Sequence, residues 1–294
     1  MPTLQLRGTP VEFVEQGAGE PVLLLHSSGS SSAQWRSLIE RLAARYRVIA
    51  PDLYGYGGTG SWPGHAAFTL KDEAQIVLAL LRRAGEPAHV IGHSYGGAAA
   101  LHVARQHSES VRTLTLIEPV AFHVLRERRG LDALALAQIN AVAEDVSRAL
   151  ASGDYLGGFG CFVDYWSGAG AWDGIPAAKR APLAIRLPKV ALDFHATLNE
   201  PARLDHFRAL AVPTLLVRGE CSPLPTRRIC ERLGAVLPQV QTRIIEGAGH
   251  MCPVTHRDEV NALVVARLER ASRISRLRSQ VFGAAAASAP APVA

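Results

Sequence analysis

The chain has 294 residues, 48% hydrophobic and 19% charged, which is ample apolar material for a sizeable core and excludes a chain disordered along its whole length. Its 31 Lys and Arg against 26 Asp and Glu leave a net charge of +5. Five arginines fall within 267–278 and the remainder is near balance, so nucleic acid is a poor candidate partner.

Strand-like and helix-like signals alternate along the first part of the chain. Residues 21–26 (PVLLLH) are a continuous apolar run ending at a Ser/Gly cluster, the mark of a strand buried on both faces. Residues 33–45 have helical spacing, with Trp35, Leu38, Ile39 and Leu42 on one side. Residues 47–52 (RVIAPD) read as a second buried strand, ending at a Gly-rich loop over 55–60. An amphipathic helix follows over 69–83, with Leu70, Ala74, Val77, Leu78 and Leu81 as its apolar stripe. Residues 88–92 (AHVIG) are a third strand, 94–107 an Ala-rich helix, and 111–118 (VRTLTLIE) a fourth strand. Strands separated by helices imply βαβ crossovers, hence an α/β class with a mostly parallel sheet and helices on both faces.

The pattern then changes. Residues 121–206 carry helical periodicity without convincing buried strands, and aromatics and glycines gather between Tyr155 and Trp172, so this stretch reads as an inserted helical cap. Alternation resumes with a strand over 212–219, a helix over 226–237, a strand over 241–246 (QTRIIE) and a helix over 256–271. The expected organisation is a core of 1–120 and 207–272, a cap of 121–206, and a flexible, Ala/Pro/Ser-rich tail over 273–294. No stretch of 18 uninterrupted apolar residues marks a membrane span, and residues 1–17 lack the basic-then-apolar pattern of a signal peptide. Cys161, Cys221, Cys230 and Cys252 show neither a C-x-x-C pair nor metal-ligand spacing, and read as reduced, mostly buried thiols of a cytoplasmic protein.

Gly92-His93-Ser94-Tyr95-Gly96 is a G-x-S-x-G pentapeptide set between a strand and a helix, with small residues (Gly97, Ala98, Ala99) where that helix must approach the sheet. A sharp turn there exposes Ser94 Oγ, and the two flanking glycines relieve crowding around it. Together with LLLHSSGSSSAQW, PDLYGYGGTGSW and GAGHM, this motif makes residues 22–268 resemble the α/β-hydrolase superfamily. The resemblance implies Ser94 as nucleophile and His250, in GAGHM, as the base that takes its proton. It places one oxyanion-hole amide at Tyr95 and the other at Ser28, although the family's His-Gly-X reads His26-Ser27-Ser28 here.

The acid departs from the family pattern. Most members carry an Asp after the seventh strand, and Ser222 stands at that position in Gly219-Glu220-Cys221-Ser222-Pro223. A serine cannot supply the charge that stabilises an imidazolium. Glu118 ends the sixth strand at the carboxyl edge of the sheet, where some members hold their acid, and the order Ser94, Glu118, His250 follows that of the superfamily. Glu220 is the alternative carboxylate, and a water-assisted Ser-His pair the other. Asp52 reads as a structural brace for the Gly-rich loop, which lacks the GK[ST] ending of a phosphate loop.

Phe122, His123, Phe159, Phe162, Tyr165, Trp166 and Trp172 are candidate walls of a pocket under the cap, suited to an uncharged, partly hydrophobic small molecule. The expected activity is hydrolysis of a carboxylic ester or related acyl compound through an acyl-enzyme, with no cofactor and no metal, and with neither nucleic acid nor membrane as partner. Carbon–carbon bond hydrolysis, perhydrolysis and acyl transfer use the same constellation. A receptor-like binding protein with little turnover is the rival from another class, kept open by the missing Asp.

Overall fold

The computed structural model describes residues 1–126 and 129–287. Strands β1 (Thr3–Leu6) and β2 (Thr9–Gln16) pair antiparallel at one edge, through a turn in which Arg7 and Gly8 both take positive φ (52° and 82°). That is the geometry tight hairpin turns require. They are followed by β3 (Glu20–Leu25), α1 (Arg36–Leu42), β4 (Tyr46–Pro51), α2 (Leu70–Ala84), β5 (Ala88–His93), α3 (Tyr95–Gln106) and β6 (Val111–Ile117). The eight-stranded sheet has the order β1-β2-β4-β3-β5-β6, continued by β7 (Thr214–Gly219) and β8 (Val240–Ile245). From β4 to β8 every neighbouring pair is parallel. The α/β sheet expected from the sequence is therefore present, with the antiparallel hairpin added at its edge.

Both faces of the parallel strands are buried, which explains their unbroken apolar runs. Along β3, Val22 and Leu24 pack with Leu38, Ile39, Val260 and Val264 on one side, while Leu23 and Leu25 pack with Val77, Leu80, Ala98 and Leu101 on the other. Helix α2 begins at a capping box, Thr69 Oγ1 accepting from Asp72 N while the Asp72 carboxylate accepts from Thr69 N, and ends at Gly85 in the left-handed region.

Between β6 and β7 the described residues include the α-helices α4 (Gly130–Ser152), α5 (Tyr155–Ser167), α6 (Ala177–Ala184) and α7 (Leu187–Leu198). After β7 come α8 (Leu224–Val236), β8, the single turn α9 (Cys252–Thr255) and α10 (Arg257–Ala287). The last helix corrects the sequence reading. It was expected to end at 271 and instead runs to Ala287; of the tail expected over 273–294, residues 288–294 lie outside the described residues. The cysteine reading is corrected in part: all four thiols are free, but Cys161 and Cys221 are exposed and only Cys230 and Cys252 are buried. Among the described residues no helix is long and apolar enough to cross a membrane.

Candidate active site

Loops leaving the carboxyl ends of β3, β5, β6 and β8 converge at one edge of the sheet and deliver Ser28, Ser94, Glu118 and His250. The turn after β5 is set by two close approaches. A Cβ on Gly92 would lie 2.2 Å from Gly96 O, and one on Gly96 would lie 2.4 Å from Leu25 O, so neither position admits a side chain. Ser94 itself takes φ 55°, ψ −115°, a strained conformation for a residue with a Cβ. Its amide donates to Ile117 O (3.0 Å) and its carbonyl accepts from Val120 N (3.2 Å), locking the elbow against the loop after β6.

Ser94 Oγ donates to His250 Nε2 at 2.9 Å, and His250 Nδ1 donates to Glu118 Oε2 at 3.1 Å. The carboxylate fixes the tautomer: with the proton on Nδ1, Nε2 is free to accept from the serine. Glu118 has φ 50°, another left-handed non-glycine residue, which turns its side chain back toward the loop that carries His250. It is fully buried. Burial alone would raise its pKa, but the hydrogen bonds from His250, from Ser222 Oγ (2.5 Å) and from Gly219 N (2.5 Å) outweigh that and hold the carboxyl below its ordinary value. Ser222, at the position where the resemblance leads one to expect the acid, therefore hydrogen-bonds the carboxylate that faces His250 Nδ1. Glu220 is exposed and accepts from Gly247 N (3.0 Å), away from His250.

Ser28 and Tyr95 line one cavity with Ser94. Among the described residues neither backbone amide has a hydrogen-bond partner, so both are available to a ligand. Ser27, where the family has glycine, donates from its amide (3.2 Å) and from its hydroxyl (2.9 Å) to Gln34 Oε1, and Gln34 Nε2 in turn donates to His93 Nδ1 (3.1 Å). His93 Nε2 donates to the carbonyl of His250 (3.0 Å). One chain of hydrogen bonds thus ties the loop after β3 to the elbow and to the loop after β8. Burial pushes His93 down to about 3, so it stays neutral. Asp52 braces the Gly-rich loop, accepting from Ser32 N (2.7 Å) and Gly58 N (2.9 Å).

Helix α5, between β6 and β7, covers the site. Trp166 of α5 lies over the His250 ring with centroids 4.0 Å apart, and Phe122, Phe159, Phe162 and Phe194 complete the apolar walls. Three residues expected in the walls are elsewhere. Trp172 packs behind Phe159 (5.8 Å), Tyr165 stands edge-on to Trp166 (4.7 Å), and His123 packs on Phe207 (6.0 Å).

Sequence reasoning missed a buried charged cluster beneath the site. Lys189 Nζ of α7 donates to Glu73 Oε2 of α2 (2.9 Å) and pairs with Asp193, one helical turn on. Asp193 Oδ2 also accepts from Ser28 Oγ (2.6 Å) and Tyr56 OH (2.6 Å), while Tyr95 OH donates to Glu73 Oε2 (2.9 Å). Burial, reinforced by Glu73, raises the Asp193 carboxyl despite the opposing pull of Lys189. A Lys and an Asp four residues apart in the otherwise apolar LPKVALDF were the available signal. Among the described residues no three His, Cys, Asp or Glu side chains gather so as to hold a metal ion.

A model of the alpha/beta hydrolase family matches residues 22–263. The pimeloyl-[acyl-carrier protein] methyl ester esterase of Vibrio vulnificus is 28% identical over 252 residues, 82% of this chain and 91% of that one. The 2-hydroxymuconate semialdehyde hydrolase of a Pseudomonas species is 38% identical over 135 residues, 43% of this chain and 46% of that one. Among solved structures, a meta-cleavage product hydrolase from Pseudomonas fluorescens superposes with a TM-score of 0.66 at 21% identity, covering 92% of this chain and 98% of that one.

Proposed function

The chain belongs to the alpha/beta hydrolase family, and we propose that it cleaves carboxylic esters through a Ser94–His250–Glu118 triad and an acyl-enzyme. The observation that carries this reading is the unbroken line of hydrogen bonds from Glu118 Oε2 through the His250 ring to Ser94 Oγ. His250 Nε2 takes the serine proton as Oγ attacks the ester carbonyl, and Glu118, ionised and buried against Nδ1, stabilises the imidazolium that forms. The amides of Tyr95 and Ser28 receive the oxyanion, each donor of this kind being worth about 3–4 kcal/mol of transition-state stabilisation. His250 then protonates the departing alcohol, and a water activated by the same nitrogen releases the acid. The apolar walls of the site suit an uncharged, partly hydrophobic acyl compound.

The test pairs the wild type with Ser94→Ala on p-nitrophenyl acetate, and adds intact-mass analysis after exposure to an organophosphorus ester that phosphorylates active-site serines. The reading expects multiple turnovers and one covalent adduct in the wild type, and neither in Ser94→Ala. A wild type that turns over no ester and takes up no label would contradict it and favour a receptor-like role.

A further inference from the structure

Two cavities meet at Ser94. The inner one measures about 20 Å³; Val120, Phe122, Asp193, Phe194 and Thr197 in its wall are all buried, and it shares Ser28, Ser94, Phe162 and Trp166 with the outer one. The outer one measures about 220 Å³, is walled by Phe159, Phe162 and Trp166, and has partly exposed Ile175, Leu183 and Met251 at its rim. His250 lines the outer cavity and is not among the residues of the inner one.

That asymmetry assigns the two ends of the substrate. The leaving oxygen must receive its proton from His250, so the alcohol lies on the His250 side, in the outer cavity. The acyl chain is left with the inner one. A single water needs about 10–15 Å³ by the same measure, so the inner cavity admits about one or two heavy atoms beyond the carbonyl carbon.

Charge narrows the class further. No Lys or Arg is among the described residues lining either cavity. At the inner wall the charged group is Asp193, whose Lys189 partner is shared with Glu73. A carboxylate on the acyl chain would meet like charge without a free counter-ion.

Resting on the ester-hydrolase reading above, we propose that the substrate is a neutral ester joining a short acid, of about two or three carbons, to a bulky apolar or aromatic alcohol. The acyl side sets the length limit, and the aromatic outer cavity rewards size in the alcohol.

The experiment measures kcat/KM for p-nitrophenyl acetate, propionate, butyrate, hexanoate and octanoate, for mono-p-nitrophenyl succinate, and by pH-stat for ethyl and benzyl acetate, whose leaving groups have similar basicity. The proposal expects acetate or propionate to exceed hexanoate by at least about tenfold, succinate to fall at least about tenfold below butyrate, and benzyl acetate to exceed ethyl acetate by a similar factor. Phe122→Ala, which enlarges the inner cavity, moves the optimum to a longer chain. A wild-type optimum at hexanoate or beyond, or equal rates for ethyl and benzyl acetate, would overturn the substrate assignment while leaving the ester-hydrolase reading intact. Absence of turnover on every ester would overturn both.

Discussion

Ser222 illustrates how one departure from a motif is accommodated by another. Its hydroxyl donates to Glu118 Oε1, so the residue at the usual acid position steadies the carboxylate that does face His250. Ser222→Ala leaves a buried, charged acceptor short of one donor and should cost about 1.5–3 kcal/mol of stability, read by urea denaturation, together with a reduced kcat. Gln34 has a comparable place between two loops. Gln34→Ala strips partners from Ser27 and from His93 Nδ1, and is expected to lower kcat by about 10–100-fold in a steady-state assay while KM changes little, because the bound geometry and not the binding surface is disturbed. At this scale the sequence pointed to Ser94 through its pentapeptide, to His250 through GAGHM and to Glu118 through its place at the end of a strand, and the structure brings these three side chains within hydrogen-bond reach of one another. It did not point to Gln34 and His93, because their partners lie 59 and 157 residues away in sequence and no local pattern marks such contacts.

Among the elements, α7 is tied to α2 through charge. Lys189 is buried between Glu73 and Asp193, with the rings of Tyr56, Phe68 and Tyr95 4.9, 4.7 and 4.6 Å from its Nζ. Lys189→Met would leave two buried carboxylates facing one another without a counter-ion, a loss of about 3–5 kcal/mol that thermal denaturation followed by circular dichroism would report as a markedly lower midpoint. Most elements of the sheet were legible because both faces of its central strands are buried, which writes them as unbroken apolar runs. The β1–β2 hairpin was not: β1 has no fully buried residue, and β2 alternates buried Thr9, Val11 and Phe13 with more exposed neighbours, a weaker signal at a sheet edge. The overlong α10 has the opposite cause. An Ala-rich end is a compositional sign of a tail, yet alanine is also the strongest helix former, and here the helix continues through Ala287.

For the molecule as a whole, acid is the weak side. Burial lowers His26, His89 and His123 to about 4 and His93 to about 3, from an ordinary 6.5. Between those values the unfolded chain binds protons that the folded one refuses, so stability present above pH 6.5 is lost as pH falls toward 4, by up to roughly 1.4 kcal/mol per pH unit for each histidine. Thermal midpoints should therefore drop steeply between pH 6.5 and 5. His89→Gln, remote from Ser94 in its pairing with Thr113 and Glu20, should flatten that slope; an unchanged slope would show that His89 is not a contributor. The account of activity turns on the carboxylate behind His250. The most direct measurement is p-nitrophenyl acetate turnover by wild type, Glu118→Gln and Glu220→Gln side by side, with His250→Ala as reference. Glu118→Gln is expected to lose about 10³–10⁴ in kcat, since a neutral partner neither fixes the tautomer nor stabilises the imidazolium, while Glu220→Gln stays within about twofold. Near-normal turnover in Glu118→Gln, with His250 still required, would contradict it.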